Sequence, residues 1–330
     1  MKLTIDQLQA AARGVAYITE EDGRVRLHRF TAAQEEMYCL CNAEHYDRSF
    51  ATAGVVLEFD TNSTQLRLAV RCRKGSSRHW FVHSIFVNGK RIGELRGKFT
   101  PPETVDAEDT WQLGSDTKRV KLVFPWSAGS EICALELDDG ASFMPVKPEK
   151  TVLIYGDSIT HGYDASLPEL SYASILAEHL GADCINKAIG GEIFRPALAE
   201  LADRVEPSLI TVAYGTNDWS GVNNEKLESN ANRFFALLRK HYPNSPILML
   251  APVWRGDWQR ERPAVAFREI PALFESIAQK IGNAYVVDCF GFIPPDPANF
   301  SPDVIHPNDD GFAHYAKGVV TALKELDIQI

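Results

Sequence analysis

No stretch of the 330-residue chain runs for about eighteen apolar positions without a charge, so a membrane-spanning helix is not expected. An excess of positive charge is missing as well: 34 Lys and Arg stand against 44 Asp and Glu, for a net charge of -10. Nucleic acids and anionic membranes require a dense cationic surface, so neither is an expected partner. Cysteine is sparse, with six residues (Cys39, Cys41, Cys72, Cys133, Cys184 and Cys289) and no C-x-x-C pair. These read as free thiols of a reducing compartment rather than as staples. H-E-x-x-H and similar ligand spacings are absent from the sequence, so neither a metal nor a cofactor is expected. The opening residues, Met1-Lys2-Leu3-Thr4-Ile5-Asp6, turn polar at once and offer no apolar core of a secretion signal, which makes a cytoplasmic location the expectation.

What is present is a chain with 45% hydrophobic and 24% charged residues, the balance of a folded protein. Its length exceeds one ordinary core and suits two domains. The character of the sequence changes near residue 148. Before it lie short β-rich runs: Gly54–Phe59, Gln65–Arg71, Trp80–Val87, Val120–Phe124 and Glu131–Leu137. Asn88-Gly89 closes the third of these, and both residues tolerate the positive φ of a tight hairpin. Only Ile5–Arg13 reads as a helix there. Residues 1–148 are therefore expected to form a β-sandwich, jelly-roll-like in outline. From 149 to 330 the pattern becomes strand, loop, helix, repeated. Strands are expected at Thr151–Tyr155, Asp183–Asn186, Leu209–Tyr214, Ile247–Ala251 and Tyr285–Val287. Helices are expected at Leu227–Tyr242, at Ala264–Ile281 and through Phe312, Tyr315, Ala316, Val319, Val320 and Leu323. This alternation predicts an α/β domain with a parallel sheet covered on both faces and a crevice at its strand ends.

Polar clusters stand where those strands end. Gly156-Asp157-Ser158-Ile159-Thr160-His161-Gly162 follows the first strand and presents a serine, which needs a base to become a nucleophile. It is not the G-x-S-x-G elbow, because Thr160 occupies the place of the last glycine. A turn capped by Asp157 or Ser158 explains the cluster equally well in isolation. Asn186-Lys187-Ala188-Ile189-Gly190-Gly191 and Tyr214-Gly215-Thr216-Asn217-Asp218-Trp219 follow two further strands. A glycine leaves a backbone N–H open and an Asn amide offers two more donors, as an oxyanion requires, although both residue types also make ordinary turns. Asp303-Val304-Ile305-His306 precedes the last helix. Spaced this way, the carboxylate can hold one imidazole nitrogen and leave the other free to act as a base, or the pair can form half of a metal site.

Together these blocks, in this order, resemble the SGNH hydrolase superfamily, also called GDSL esterases, over residues about 149 to 330. The resemblance implies a flavodoxin-like three-layer α/β/α domain that hydrolyses carboxylic esters. It implies Ser158 as nucleophile, His306 as base and Asp303 as its orienter. The oxyanion hole is implied to come from the N–H groups of Ser158 and Gly191 and the side-chain amide of Asn217, with Gly190 as the competing glycine. A β-sandwich ahead of such a domain is similar to family 2 carbohydrate esterases, including acetyl xylan esterases. That points to a small-molecule ester as partner, an acetylated sugar or xylo-oligosaccharide. Asp157, Trp219 and Trp254 are expected to contact substrate, with Trp258 nearby, while His161 is expected to brace the turn. An acyltransferase on the same triad and an inactive carbohydrate-binding protein are the alternatives. For the amino-terminal domain, homo-oligomer contacts compete with shaping one wall of the cleft.

Overall fold

The computed structural model describes residues 1–328 and 330. Among the described residues, no helix is long and apolar enough to cross a membrane.

The amino-terminal part consists of two antiparallel sheets. In one, the order is Ala12–Arg13, Val56–Thr61, Lys118–Val123, Trp80–Val87 and Lys90–Lys98, with Met144–Pro145 also pairing onto Val56–Thr61. In the other it is Tyr17–Glu21, Arg24–His28, Ala128–Leu137, Gln65–Lys74 and Val105–Gln112. Alternate residues of each strand, such as Leu57 and Phe59, Leu66 and Leu68, Leu122, Ile132 and Leu135, meet in one buried apolar cluster between the sheets. Asn88 and Gly89 have φ values of 49° and 77° and join two strands directly, as the sequence predicts.

Two departures from expectation matter. The first helix stops at Ala11, and Ala12–Arg13 turns into a short strand paired with Val56 and Leu57. Helices Ala32–Cys41 and Ala43–Ser49 were not expected at all. The first is started by a capping box, in which Thr31 accepts from Gln34 N–H and the Gln34 side chain accepts from Thr31 N–H. Asn42 caps the second by accepting from His45 N–H.

The remaining chain forms a parallel sheet of five strands: β1 (Lys150–Gly156), β2 (Ala182–Asn186), β3 (Leu209–Ala213), β4 (Ile247–Ala251) and β5 (Ala284–Asp288), in the order β2-β1-β3-β4-β5. The interiors of the strands are largely apolar on both faces because helices cover both. Val152, Ile154 and Leu250 pack with Leu176, Phe312 and Val319 from helices Tyr172–Leu180 and Asp309–Glu325. Leu153, Tyr155, Val212 and Met249 pack on the other side with Phe234, Leu238 and Phe274 from helices Asn224–His241 and Ile270–Ile281. The last of these helices begins six residues later than the sequence suggests. A 3-10 turn at Phe267–Glu269 precedes it, and Pro271 sits in its first turn, where a missing N–H costs no hydrogen bond. In this strand order the chain reverses direction beside β1 and β3, which opens a crevice at their carboxyl ends.

Candidate active site

Asp157 ends β1 and caps the short helix Ser158–His161 by accepting from Ile159 N–H at 3.0 Å, which leaves Ser158 at the mouth of the crevice. His306 Nε2 lies 2.8 Å from Ser158 Oγ, and His306 Nδ1 lies 2.6 Å from Asp303 Oδ2. The other Asp303 oxygen accepts from the N–H groups of Ile305 and His306 at 2.9 and 3.0 Å. Folding four residues into so tight a loop puts Val304 at φ 55°, a conformation that β-branched side chains avoid. The loop is held by Val304 O, which accepts from Gly256 N–H at 2.8 Å. Burial works against ionisation of Asp303, but the hydrogen bonds from His306 and the neighbouring backbone prevail and hold its carboxyl well below the usual range. An ionised Asp303 fixes the proton of His306 on Nδ1 and leaves Nε2 to take one from Ser158.

A donor site faces this pair. Ile189 N–H donates to Gly156 O at 3.2 Å, which sets the Gly190-Gly191 turn beside the strand end that carries Ser158. Gly190 N–H donates to His161 Nδ1 at 3.2 Å, while His161 Nε2–H donates to Trp126 O at 2.9 Å. Burial holds His161 well below its ordinary pKa, in agreement with a neutral ring that accepts on one nitrogen and donates from the other. His161 thus braces the turn, and of the two glycines only Gly191 keeps its N–H without a partner among the described residues. The two glycines have different reasons to be there. A Cβ on Gly190 would lie 2.4 Å from the Tyr163 hydroxyl, whereas Gly191 sits at φ 81°. The Ser158 N–H is likewise unpartnered among the described residues. Asn217 Nδ2 donates to Glu192 O at 3.0 Å, which anchors the amide and leaves its second N–H available.

Much of the support comes from the amino-terminal part. Arg29 is fully buried, and its guanidinium donates to Ala51 O, Asn186 O and Ala188 O at 2.5, 2.6 and 3.2 Å. Arg48 Nη1 donates to Gly190 O at 2.5 Å, and its Nη2 pairs with Glu44 at 2.7 Å. Glu192 is buried; its desolvation is outweighed by His45 and Arg195, which bring its pKa down to about 2. On the other side of the triad, Tyr163 stacks on His306 with ring centroids 5.6 Å apart. Arg78 grips both oxygens of Asp164 at 2.7 and 2.8 Å. Asp164, Asp303 and His306 present atoms within 4.8 Å of one another, which raises the question of a cation. Asp164 Oδ2 already accepts from Arg78, and Asp303 Oδ2 and His306 Nδ1 are bonded to each other, so these groups are engaged in hydrogen bonds with one another and with Arg78.

Two expected substrate contacts are corrected. Trp219 is 1% exposed and packs edge-on against Phe267, beneath the guanidinium groups of Arg255 and Arg262. Asn217 and Trp219 share helix Thr216–Gly221, and two residues along a helix means a turn of about 200°, so with Asn217 at the crevice the indole points into the core. Asp157 is 3% exposed, with one carboxylate oxygen on the helix cap; burial raises its pKa to about 6 against that cap and the nearby His306 and Arg255. Trp254 remains half-buried against Phe300, on the loop tied to the Asp303 turn, and Trp258 lies half-buried against Phe290. Sequence reasoning missed Arg29, Arg48, Arg78 and Tyr163. The signal for the helix that carries Arg48 was available in Thr31-x-x-Gln34 and Asn42, but none existed for arginines whose partners are mostly main-chain carbonyls.

Residues 154–314 match the GDSL-like Lipase/Acylhydrolase family. No curated protein matches by sequence. Solved structures share the fold across nearly the whole chain. A salicylyl-acyltransferase, SsfX3, from a tetracycline biosynthetic pathway is 21% identical, with 96% of each chain covered and a TM-score of 0.80. A GDSL-like lipase candidate from Bacteroides ovatus ATCC 8483 is 20% identical, with 98% of this chain and 97% of that one covered and a TM-score of 0.75. An acetyl xylan esterase, Est2A, from the rumen bacterium Butyrivibrio proteoclasticus is 19% identical, with 85% and 92% covered and a TM-score of 0.61.

Proposed function

We propose that this chain, whose residues 154–314 form a GDSL-like lipase/acylhydrolase domain, is a serine esterase that removes short acyl groups, acetyl above all, from acetylated sugars or xylo-oligosaccharides. The observation that carries the reading is the unbroken chain from Asp303 through His306 to Ser158, set beside the Ser158 and Gly191 N–H groups, which have no partner among the described residues, and the Asn217 amide, which spends one N–H on Glu192 O. His306 Nε2 takes the Ser158 proton as Oγ attacks the ester carbonyl. The charge that develops on the carbonyl oxygen is met by the N–H groups of Ser158 and Gly191 and by the Asn217 amide. His306 returns the proton to the departing alcohol. Water, deprotonated by the same nitrogen, then releases the acid from the acyl-serine.

The preference for a short acyl group is supported by the polar atoms beside the turn, the Arg48 guanidinium at Gly191 and the Tyr163 hydroxyl at Gly190. The sugar alcohol rests on the fold shared with Est2A, an acetyl xylan esterase. A second reading, transfer of the acyl group to an alcohol acceptor, is favoured by SsfX3, an acyltransferase that matches this chain end to end. Ser158→Ala is expected to lower hydrolysis of p-nitrophenyl acetate and of acetylated xylo-oligosaccharides by about 10³–10⁶-fold. Wild-type rates in that variant would remove the nucleophile and the proposal with it. Product partition between acid and new ester, measured with and without an added alcohol, separates hydrolysis from transfer.

A further inference from the structure

The peptide unit between Gly190 and Gly191 has two ends, of which one is held and the other is open. Its N–H, on Gly191, has no partner among the described residues and faces the nucleophile in the reading above. Its carbonyl, on Gly190, accepts from the Arg48 guanidinium at 2.5 Å. An amide whose oxygen takes a hydrogen bond from a cation is polarised along its whole plane: electron density moves toward oxygen and the N–H becomes a stronger donor.

We infer that Arg48 is a positioning residue for the oxyanion hole, charging the Gly191 N–H through the peptide it shares with Gly190. The guanidinium itself needs no contact with the substrate. Its geometry is set from outside the crevice. Glu44 holds the far nitrogen at 2.7 Å, and the carbonyl of Arg48 accepts from the buried Arg29 at 3.3 Å, which fixes the end of helix Ala43–Ser49 against the catalytic turn. Arg48 Nη1 would also lie 3.0 Å from a Cβ built on Gly191, so the guanidinium stands against the turn that carries the Gly191 N–H. The effect belongs to the transition state, because the ester oxygen becomes an anion only there.

The inference rests on the esterase reading, and its test keeps the two apart. Arg48→Ala is expected to lower kcat for p-nitrophenyl acetate by about tenfold, less than the loss of a direct donor, with KM within about twofold. The rate at which a fluorophosphonate labels Ser158 should fall in parallel, since its phosphoryl oxygen uses the same donors. Arg48→Lys, which keeps a charged donor, should recover most of the rate. Glu44→Ala, which removes one restraint on the guanidinium and leaves the carbonyl contact, should lower kcat by less than Arg48→Ala does. Thermal melting of each variant shows that the fold is kept. Wild-type kcat and labelling in a folded Arg48→Ala protein would overturn the role of Arg48 and leave the esterase standing. A rise in KM alone would do the same. Absence of both hydrolysis and Ser158 labelling in the wild type would overturn the esterase reading itself, and this inference with it.

Discussion

In the parallel-sheet half, strand ends converge: β1 delivers Ser158, the turn after β2 delivers Gly191, the helix after β3 delivers Asn217, and the loop after β4 is tied by Gly256 to the turn that carries His306. In the antiparallel half, strands pair with their neighbours over a closed core, and among the described residues none of them hydrogen-bonds to Ser158, Asp303 or the His306 ring. What that half sends to the site are arginines from loops and short helices, and they grip main-chain carbonyls and one carboxylate. The contrast separates two tasks. The residues of the proposed triad are brought together by a topology that gathers loops at one edge, while the Gly190-Gly191 turn is held from outside by cations that read backbone.

If that division holds, removing residues 1–148 produces the largest effect. Asn186 O, Ala188 O and Gly190 O lose their charged donors, and the surface around Tyr163 loses Trp126. The isolated 149–330 segment is expected to be insoluble or, if recovered, inactive with an intact triad. Soluble expression with wild-type esterase activity would break the comparison outright. Next comes Arg29→Met, which keeps bulk and leaves buried carbonyls of both halves unpaired. A loss of about 3 kcal/mol or more in urea unfolding is expected, with kcat falling as well. A change below about 1 kcal/mol would mean that the Arg29 clamp contributes little to holding the halves together.

The smallest effect is expected inside the catalytic half. Asp157 is buried and its pKa is raised to about 6, mainly by desolvation. Its folded pKa lies above the unfolded one, so the fold binds the proton more tightly and loses stability as pH climbs from about 4 through 6. Asp157→Asn keeps the cap on Ile159 and has no charge to bury. Its melting temperature should therefore exceed that of the wild type at pH 8, by a few degrees, and the gap should close near pH 4. A gap that widens on acidification would reverse the sign of the argument.

The parts of the molecule legible in the sequence are those encoded over short distances. β4 falls on the expected residues, and the other parallel strands shift by a residue at their ends, because buried parallel strands are apolar without interruption. Asp303 and His306 meet through a four-residue turn, so their spacing alone announces the contact. Strands Tyr17–Glu21, Arg24–His28 and Val105–Gln112 escaped because edge strands and half-exposed strands carry as many charges as a loop does. Trp219 was misplaced because adjacency to Asn217 says nothing about the direction of a side chain until the local helix is known. The arginines escaped for a different reason: a carbonyl acceptor is present at every residue, so a donor aimed at one leaves no mark on the sequence it binds.

That last point gives the buried Arg29 a consequence of its own. A clamp that recognises the path of the chain rather than its side chains tolerates any substitution at Ala188 or Ile189 that fits the space, yet it is intolerant of length. One residue inserted or deleted between Asn186 and Gly190 would move the gripped carbonyls out of step with the guanidinium groups, whatever residue was chosen. Redesign of this loop for a new substrate is thus fixed in count, whatever freedom of composition remains outside Asn186, Lys187, Gly190 and Gly191.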